Sequence, residues 1–241
     1  MKDVHFHLEG PLAATERIAT LDIVRGFALL GILIMNMPGF ANSFFIEADG
    51  SHLWTSPVDR CAEVMRDMLF SGKFNSMFSL LFGIGFTIQF ARMQQLAPEH
   101  ATQLYVRRLL FLFAIGVLHA MVFWTGDVLH VYAILGLALL VLLRFASNRV
   151  IVGLIVLCLL YPALSGLARL LVITPEITAR LVAEAKAFEA SNNLAYGSGS
   201  FIDAAREHAR EFIYNYDNVW SAWANLGFFV QMATTMLIGF L

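Results

Sequence analysis

Long apolar runs alternate with short polar segments along the whole chain. Six runs are close to the roughly 20 residues that a helix needs to cross the ~30 Å hydrocarbon core of a bilayer. They cover residues 18–37, 74–91, 105–124, 128–145, 150–172 and 220–241. The pattern predicts an all-α, polytopic transmembrane helix bundle with about six spans. We expect a polar tail over residues 1–16, a core of five spans over 17–172 and the sixth span over 220–241.

The polar segment 173–219 predicts two amphipathic helices between the fifth and sixth spans. Thr174 is a suitable cap for the first helix, and Ser200 with Asp203 repeats the capping pattern before a second helix that reaches about Asn215. The break between the two helices is predicted at four turn-forming residues, Asn192, Asn193, Gly197 and Gly199. We expect a lid or packing element here; the alternative is a segment that holds an acceptor substrate.

Lysine and arginine positions predict the orientation, because short cytoplasmic loops carry an excess of these residues. Cations cluster before the first run, between the second and third runs, and between the fourth and fifth runs. They are Lys2, Arg17, Arg92, Arg107, Arg108, Arg144 and Arg149. The hairpin at residues 125–127 carries no cation. The sequence therefore predicts a cytoplasmic N-terminus, with segment 173–219 on the extracytoplasmic side.

The composition favours a lipid environment and excludes a soluble domain. Hydrophobic residues make up 59% of the chain and charged residues 14%, against about 25% charged in a typical soluble domain. A net charge of −2 gives no basic field, so nucleic-acid binding is excluded. The two cysteines lack the spacing of metal ligands, and we expect no metal. The last run has no charged residue and no cationic flank, so we expect the chain to be the N-terminal part of a longer membrane protein.

Two opposite charges stand near the start of the first run. Asp22 and Arg25 are three residues apart, so they share a helix face and can pair. Asn36 lies eleven residues beyond Arg25 and returns to the same face about 16 Å farther along the helix. One interpretation is that the side chains of Asp22 and Arg25 pair near the cytoplasmic interface and extend to the water there. The other is a site that receives an anionic group, since charges inside lipid are costly without a function.

A second polar cluster is predicted at the outer ends of the helices. His119, Asp127 and His130 flank a short hairpin, and Lys73 and Asn75 open the second run on the same side. A carboxylate beside a histidine can orient the ring and tune its charge near neutral pH, which suits general acid–base chemistry. The alternative is a structural histidine with satisfied hydrogen bonds.

Three segments of the chain resemble the YeiB-type family of bacterial membrane proteins, which have no assigned function. They read "LDIVRGFALLGILIMNMPGF", "KFNSMFSLLFGIGF" and "RRLLFLFAIGVLHAMVFWTGDVLHVYAILGLALL", within residues 17–145. The first segment is also similar to transmembrane acyltransferases such as the heparan-glucosaminide acetyltransferase. Bacterial members of that wider group have a histidine where this chain has Asn36. The heparan-type enzymes have asparagine there and a histidine in the following outer loop, a position that His52 can fill here, with His119 as its rival.

The resemblance implies transfer of an acyl group from a cytoplasmic acyl-CoA, such as acetyl-CoA, to a hydroxyl or amine outside the cytoplasmic (inner) membrane of a bacterium. The implied acceptor is an envelope glycan or a lipid-linked molecule in the lipid bilayer. Asp22 and Arg25 would hold the donor, and Asn36 would donate a hydrogen bond to the thioester. His52 or His119 would deprotonate the acceptor, and Asp127 would tune His119.

The acceptor would lie near three further residues, Lys73, Asn75 and His130. The main alternative function is a transporter or lipid-handling protein whose intramembrane charges line a path. In that case Gly83 and Gly85 would mark a flexible helix, whereas close helix packing explains them equally well. The sequence leaves the oligomeric state open, a homo-oligomer included.

Overall fold

The computed structural model describes residues 19–40, 42–43 and 55–241, and all regular structure in these ranges is helical. The predicted all-α class is confirmed. Nine α-helices follow one another within these ranges, and a 3-10 turn at Met37–Phe40 continues the first. They are α1 (Ala19–Asn36), α2 (Pro57–Phe70), α3 (Lys73–Leu96), α4 (Ala101–Val122), α5 (Leu129–Phe145), α6 (Asn148–Val172), α7 (Pro175–Ser198), α8 (Phe201–Asp217) and α9 (Val219–Phe240).

Five helical segments in the described ranges are long and apolar enough to cross a membrane. They are Ala19–Phe40, Pro57–Leu96, Ala101–Val122, Asn148–Val172 and Val219–Phe240. The other predicted span is α5, an apolar helix of 17 residues, close to the shortest length that spans a bilayer. Much of the apolar surface faces outward, and Leu170 is 83% exposed. Lipid is therefore the natural solvent, and the chain is a multi-pass membrane protein.

Helix α2 occupies a region that the sequence analysis treated as an outer loop. Ser56 caps it by accepting a hydrogen bond from the backbone N–H of Asp59 at 3.2 Å, and none of its residues is buried. Gly72 then takes a left-handed φ of +69°, which glycine adopts without strain. This turn starts α3 at Lys73, one residue before the predicted span.

Helices α3 and α9 pack backbone to backbone through glycines. A Cβ on Gly83 would collide with the carbonyl oxygen of Met236, and a Cβ on Gly239 would collide with that of Leu80. Small residues allow this close approach between membrane helices. Gly83 therefore serves close packing, which is one of the two interpretations that the sequence left open.

The caps of α7 and α8 are confirmed. Thr174 accepts from the N–H of Ile177 at 3.3 Å, and Ser200 forms a reciprocal capping box with Asp203. The predicted break is partly wrong. Three of the four turn-forming residues, Asn192, Asn193 and Gly197, lie inside α7, and the chain breaks at Gly199. Helix α8 extends two residues past the predicted end, to Asp217.

Helix α8 is fixed to the hairpin between α4 and α5 by a buried glutamate. Glu211 is 1% exposed and accepts hydrogen bonds from Thr125 Oγ1 at 2.9 Å and from the side-chain amide of Asn192. The same amide donates to Ser43 Oγ at 2.9 Å. These bonds explain why Asn192 lies in a helix and not in a turn. The contact with Thr125 places α8 over the predicted outer end of the bundle.

Candidate functional site

A cavity of about 300 Å³ lies among α1, α3, α4 and α5. We call it the inner cavity, because Arg108 belongs to the loop region predicted to be cytoplasmic. Its walls are Arg25, Phe78, Phe82, Gly85, Phe86, Gln89, Tyr105, Arg108, Leu109, Leu112, Leu129 and Tyr132. Two guanidinium groups and one neutral amide thus share this wall, and no carboxylate of the described residues lines it.

Arg25 is held where α1 meets α3. Its Nη1 lies 3.3 Å from Asp22 Oδ1, and its Nη2 donates to the backbone carbonyl of Leu81 at 3.4 Å. A Cβ on Gly85 would collide with Nη2, so this glycine leaves room for the guanidinium. The predicted pairing of Asp22 with Arg25 is confirmed. Arg25 lines the inner cavity, whereas Asp22 does not.

Arg108 is the second cation of the inner cavity. Its Nη1 donates to the side-chain carbonyl of Gln89, and no carboxylate pairs with it in the described part of the chain. Since Asp22 offsets only Arg25, the cavity keeps a positive charge. A site of this kind attracts an anion, and charge-assisted bonds to phosphate or carboxylate are its natural contacts.

A larger cavity of about 600 Å³ lies toward the hairpin and α8. We call it the outer cavity. Its polar wall residues are Asn36, Ser71, Asn75, Thr125, Asp127, His130, Asn215, Tyr216, Asn225 and Gln231. The structure therefore brings together four predicted site residues, Asn36, Asn75, Asp127 and His130.

His130 is the histidine in the wall of the outer cavity. Its side chain is buried, its Nε2 is hydrogen-bonded to Tyr216 Oη, and its ring packs edge-on against Phe212. Burial raises the pKa of Tyr216 to about 12, so the phenol stays protonated at neutral pH. Nδ1 of His130 is buried without a hydrogen-bond partner in the described ranges.

His119 and Asp127 form the predicted dyad at the hairpin. Nδ1 of His119 lies 2.9 Å from Asp127 Oδ2, while Asp127 Oδ1 accepts from the N–H of Leu129 at 2.8 Å. Asp127 is in the outer cavity wall and His119 is not. The side chain of His119 is 43% exposed and stacks on Phe123.

The other predicted site residues are placed as follows. Lys73 Nζ donates to the carbonyl of Met68 and lies outside both cavity walls. His52 lies outside the described residues. In the described ranges, no group of three His, Cys, Asp or Glu side chains lies close enough to hold a metal ion.

The two cavities adjoin each other. Phe78, Leu129 and Tyr132 line both of them, and Tyr132 Oη lies 2.8 Å from Ser79 Oγ. Together the cavities run from the two arginines to the hairpin. The sequence predicted Arg25 at one end and the hairpin residues at the other, but not the three residues that line both cavities.

Among the wall residues that the sequence did not reveal are Gln89, Arg108, Tyr132 and Tyr216. Arg108 was counted only as a topological cation. Gly85 was a usable signal for Arg25, because a glycine that faces a long side chain leaves room for it. Tyr216 belongs to an amphipathic helix whose contact with α5 depends on the tertiary fold.

The chain is similar to three bacterial proteins that are described as uncharacterized. YxaH of Bacillus subtilis (strain 168) is 28% identical over 213 residues, which are 83% of this chain and 50% of the relative. YeiB of Escherichia coli (strain K12) is 34% identical over 135 residues, 55% of this chain and 33% of the relative.

The third relative is a 39.9 kDa protein in the amylase 3' region of Bacillus acidopullulyticus. It is 38% identical over 130 residues, 54% of this chain and 35% of the relative. The chain thus spans half or less of the length of these curated relatives. No protein-family model and no solved structure matches the chain.

Proposed function

We propose the function of this chain from its two cavities, because the bacterial proteins to which it is similar, YxaH and YeiB among them, are uncharacterized. We propose a transmembrane acyltransferase of the bacterial cytoplasmic membrane. It takes an acyl group, such as acetyl, from cytoplasmic acyl-CoA and transfers it to a hydroxyl or amine outside. The acceptor is an envelope glycan or a lipid-linked molecule in the bilayer.

One observation carries the proposal: a cationic cavity and a histidine-lined cavity adjoin across a thin wall. A donor that is anionic at one end and acylated at the other needs positive charge far from the reacting carbon. An acceptor that loses a proton needs a base near that carbon. The two cavities supply these groups on opposite sides of Tyr132, as group transfer across a membrane requires.

On the donor side, Arg25 and Arg108 bind an anionic part of acyl-CoA. Asp22 orients Arg25 from outside the cavity, and Gln89 orients Arg108. Guanidinium groups suit phosphate because they offer several donors in a fixed plane. This assignment makes Arg108 a partner of Arg25 in binding the donor.

On the acceptor side, a histidine takes the proton from the attacking hydroxyl or amine. The new bond joins the acceptor O or N to the acyl carbon, and the C–S bond of the thioester breaks. The thiolate of CoA then takes up a proton. Asn36 donates a hydrogen bond to the acyl oxygen as negative charge develops on it. His130 reaches the cavity directly and His119 meets it through Asp127, so these two histidines are candidate bases together with His52, which lies outside the described residues.

The experiment uses purified full-length protein in lipid nanodiscs with radiolabelled acetyl-CoA and fractionated envelope glycans and lipids. We expect label to reach one fraction. Loss of the base should lower the rate about 10²- to 10⁴-fold in only one of the three variants His52→Gln, His119→Gln and His130→Gln. Arg108→Gln should raise the KM for acetyl-CoA. Arg149→Gln is the matched control, because Arg149 is exposed and outside both cavity walls.

A transporter or lipid-handling protein is the second candidate, because two cavities that meet at a wall also suit access from alternate sides. Under that function, vesicles would take up substrate without acetyl-CoA, and Asp22→Ala would abolish the uptake. A wild-type protein that labels no envelope fraction but takes up substrate in this way contradicts the acyltransferase.

A further inference from the structure

We propose that Tyr132 is the partition between the inner and outer cavities and limits the size of the group that passes between them. The partition stands on geometry alone. The identity of the passing group, an acyl chain, rests on the proposed function. Tyr132 would thus be a positioning and specificity-determining residue.

Tyr132 is 3% exposed and still lines both cavities. It lies in the first turn of α5, and its hydroxyl is 2.8 Å from Ser79 Oγ on α3. Its ring packs edge-on against Phe78 at 5.6 Å and tilted against Phe82 at 5.2 Å. The side chain therefore crosses the gap between two helices and is anchored on the far side.

The other shared wall residues lack this anchor. Phe78 and Leu129 close the space by packing only, because their side chains have no hydrogen-bonding group. Tyr105 offers a second comparison, since it is as buried as Tyr132 but lines only the inner cavity. A tyrosine that merely filled the core would not need to face both cavities.

The hydrogen bond between Tyr132 and Ser79 holds the partition closed, and it can break and form again. It joins two neutral hydroxyls, and such a bond contributes little net free energy to the stability of a folded protein. A passing group has to displace the ring from its position against Ser79. An acetyl group needs a smaller displacement than a longer acyl chain. Truncation of the ring should therefore widen the range of acyl chains that are accepted.

The first test measures the partition without any enzyme activity. The full-length protein carries Cys61→Ser and Cys158→Ser, together with Asn75→Cys as a reporter in the outer cavity. A membrane-impermeant maleimide is added to inside-out vesicles, so that it reaches the protein from the predicted cytoplasmic side. We expect slow labelling with Tyr132 present, at least tenfold faster labelling with Tyr132→Ala, and a rate between these two with Tyr132→Phe, which keeps the ring and loses the hydrogen bond to Ser79.

Tyr105→Ala is the matched control, because it enlarges the inner cavity and leaves the partition intact; it should not accelerate labelling. If Tyr132→Ala is not monodisperse in detergent, Tyr132→Leu and Phe78→Leu replace it with smaller changes in the same wall. Labelling that is equally fast in the parent and in these variants overturns the partition. Equal acceleration by Tyr105→Ala overturns the role of Tyr132 in particular.

The second test compares acetyl-CoA with hexanoyl-CoA as donors. Tyr132→Ala should raise the rate with hexanoyl-CoA relative to acetyl-CoA several-fold, and Tyr132→Phe, which loses only the anchoring hydroxyl, should raise this ratio less. An unchanged ratio overturns the size limit. If no acyl group is transferred at all, the proposed function fails, while the maleimide result still decides the partition.

Discussion

Gly83 provides a test of the packing that supports both cavities, through Gly83→Ala. A Cβ there would lie within 3.0 Å of backbone atoms of α9 and collide with the carbonyl of Met236. Ordinary van der Waals contact begins near 3.4 Å, so the two backbone atoms at 3.0 Å alone require α3 and α9 to separate by about 0.4 Å, and the closer carbonyl oxygen of Met236 requires a larger separation. Backbone atoms cannot rotate away as a side chain can, and overpacking of this kind costs about 1–3 kcal/mol.

Helix propensity works in the opposite direction, because alanine is favoured over glycine by about 1 kcal/mol inside a helix. Gly153→Ala isolates that effect, since a Cβ on Gly153 would meet nothing within 4 Å. We expect the Gly153→Ala protein to unfold at a slightly higher temperature than the parent and the Gly83→Ala protein at a lower one. The assay is thermal unfolding in one detergent, followed by tryptophan fluorescence. Equal stability of the two variants would refute the packing of α3 on α9 derived from the glycines.

Three further predictions concern the donor site and α8. Gly85→Ala should displace the Arg25 guanidinium and weaken binding of CoA in calorimetry, while the unfolding temperature stays near that of the parent. Glu211→Ala should leave one buried amide N–H of Asn192 without an acceptor, at a cost of roughly 1–3 kcal/mol, whereas Thr125 Oγ1 still has the carbonyl of His208 at 3.2 Å. Limited proteolysis should detect the loosened α8. The hydrogen bond from Ser200 lowers the pKa of Asp203. The capping contribution of Asp203 is therefore fully present above the ordinary aspartate pKa of about 4 and is lost as the pH falls through the lowered pKa, which hydrogen exchange in α8 measures.

For Gly85→Ala the control is Gly153→Ala, and unchanged CoA binding would contradict the site. For Glu211→Ala it is the exposed Glu99→Gln, and unchanged proteolysis of α8 would show that the buried hydrogen bonds do not hold it. For Asp203 it is Asp203→Asn, which should flatten the acid dependence; the same pH profile in both proteins would exclude the cap as its cause.

Local signals in the sequence predicted the helix starts well. The caps at Thr174 and at Ser200 with Asp203 depend on bonds between residues three positions apart, so they are visible without a fold. The contact between His119 and Asp127 was also predictable, because the hairpin between them is short and allows few conformations. Helix α2 was missed because its polar residues look like a loop when only apolar runs are counted.

Tertiary contacts account for the remaining errors. Asn192 is a turn-forming type, yet its amide is bound by Ser43 and Glu211, which are 149 and 19 residues away in sequence. The sequence also could not decide which hairpin histidine faces the outer cavity. That choice depends on the rotation of α4 and α5 about their axes, which the packing of Gly116 against the backbone of His130 fixes.

The two carboxylate oxygens of Asp127 contact different groups. One holds the backbone N–H that begins α5, and the other meets the ring of His119. Removal of the whole side chain would therefore disturb the helix start and the imidazole together, and a loss of activity would have two indistinguishable causes. Asp127→Asn keeps an oxygen for the backbone and removes the negative charge. A genetic screen that scores alanine substitutions alone would thus misassign this position, whereas the amide isolates its electrostatic role.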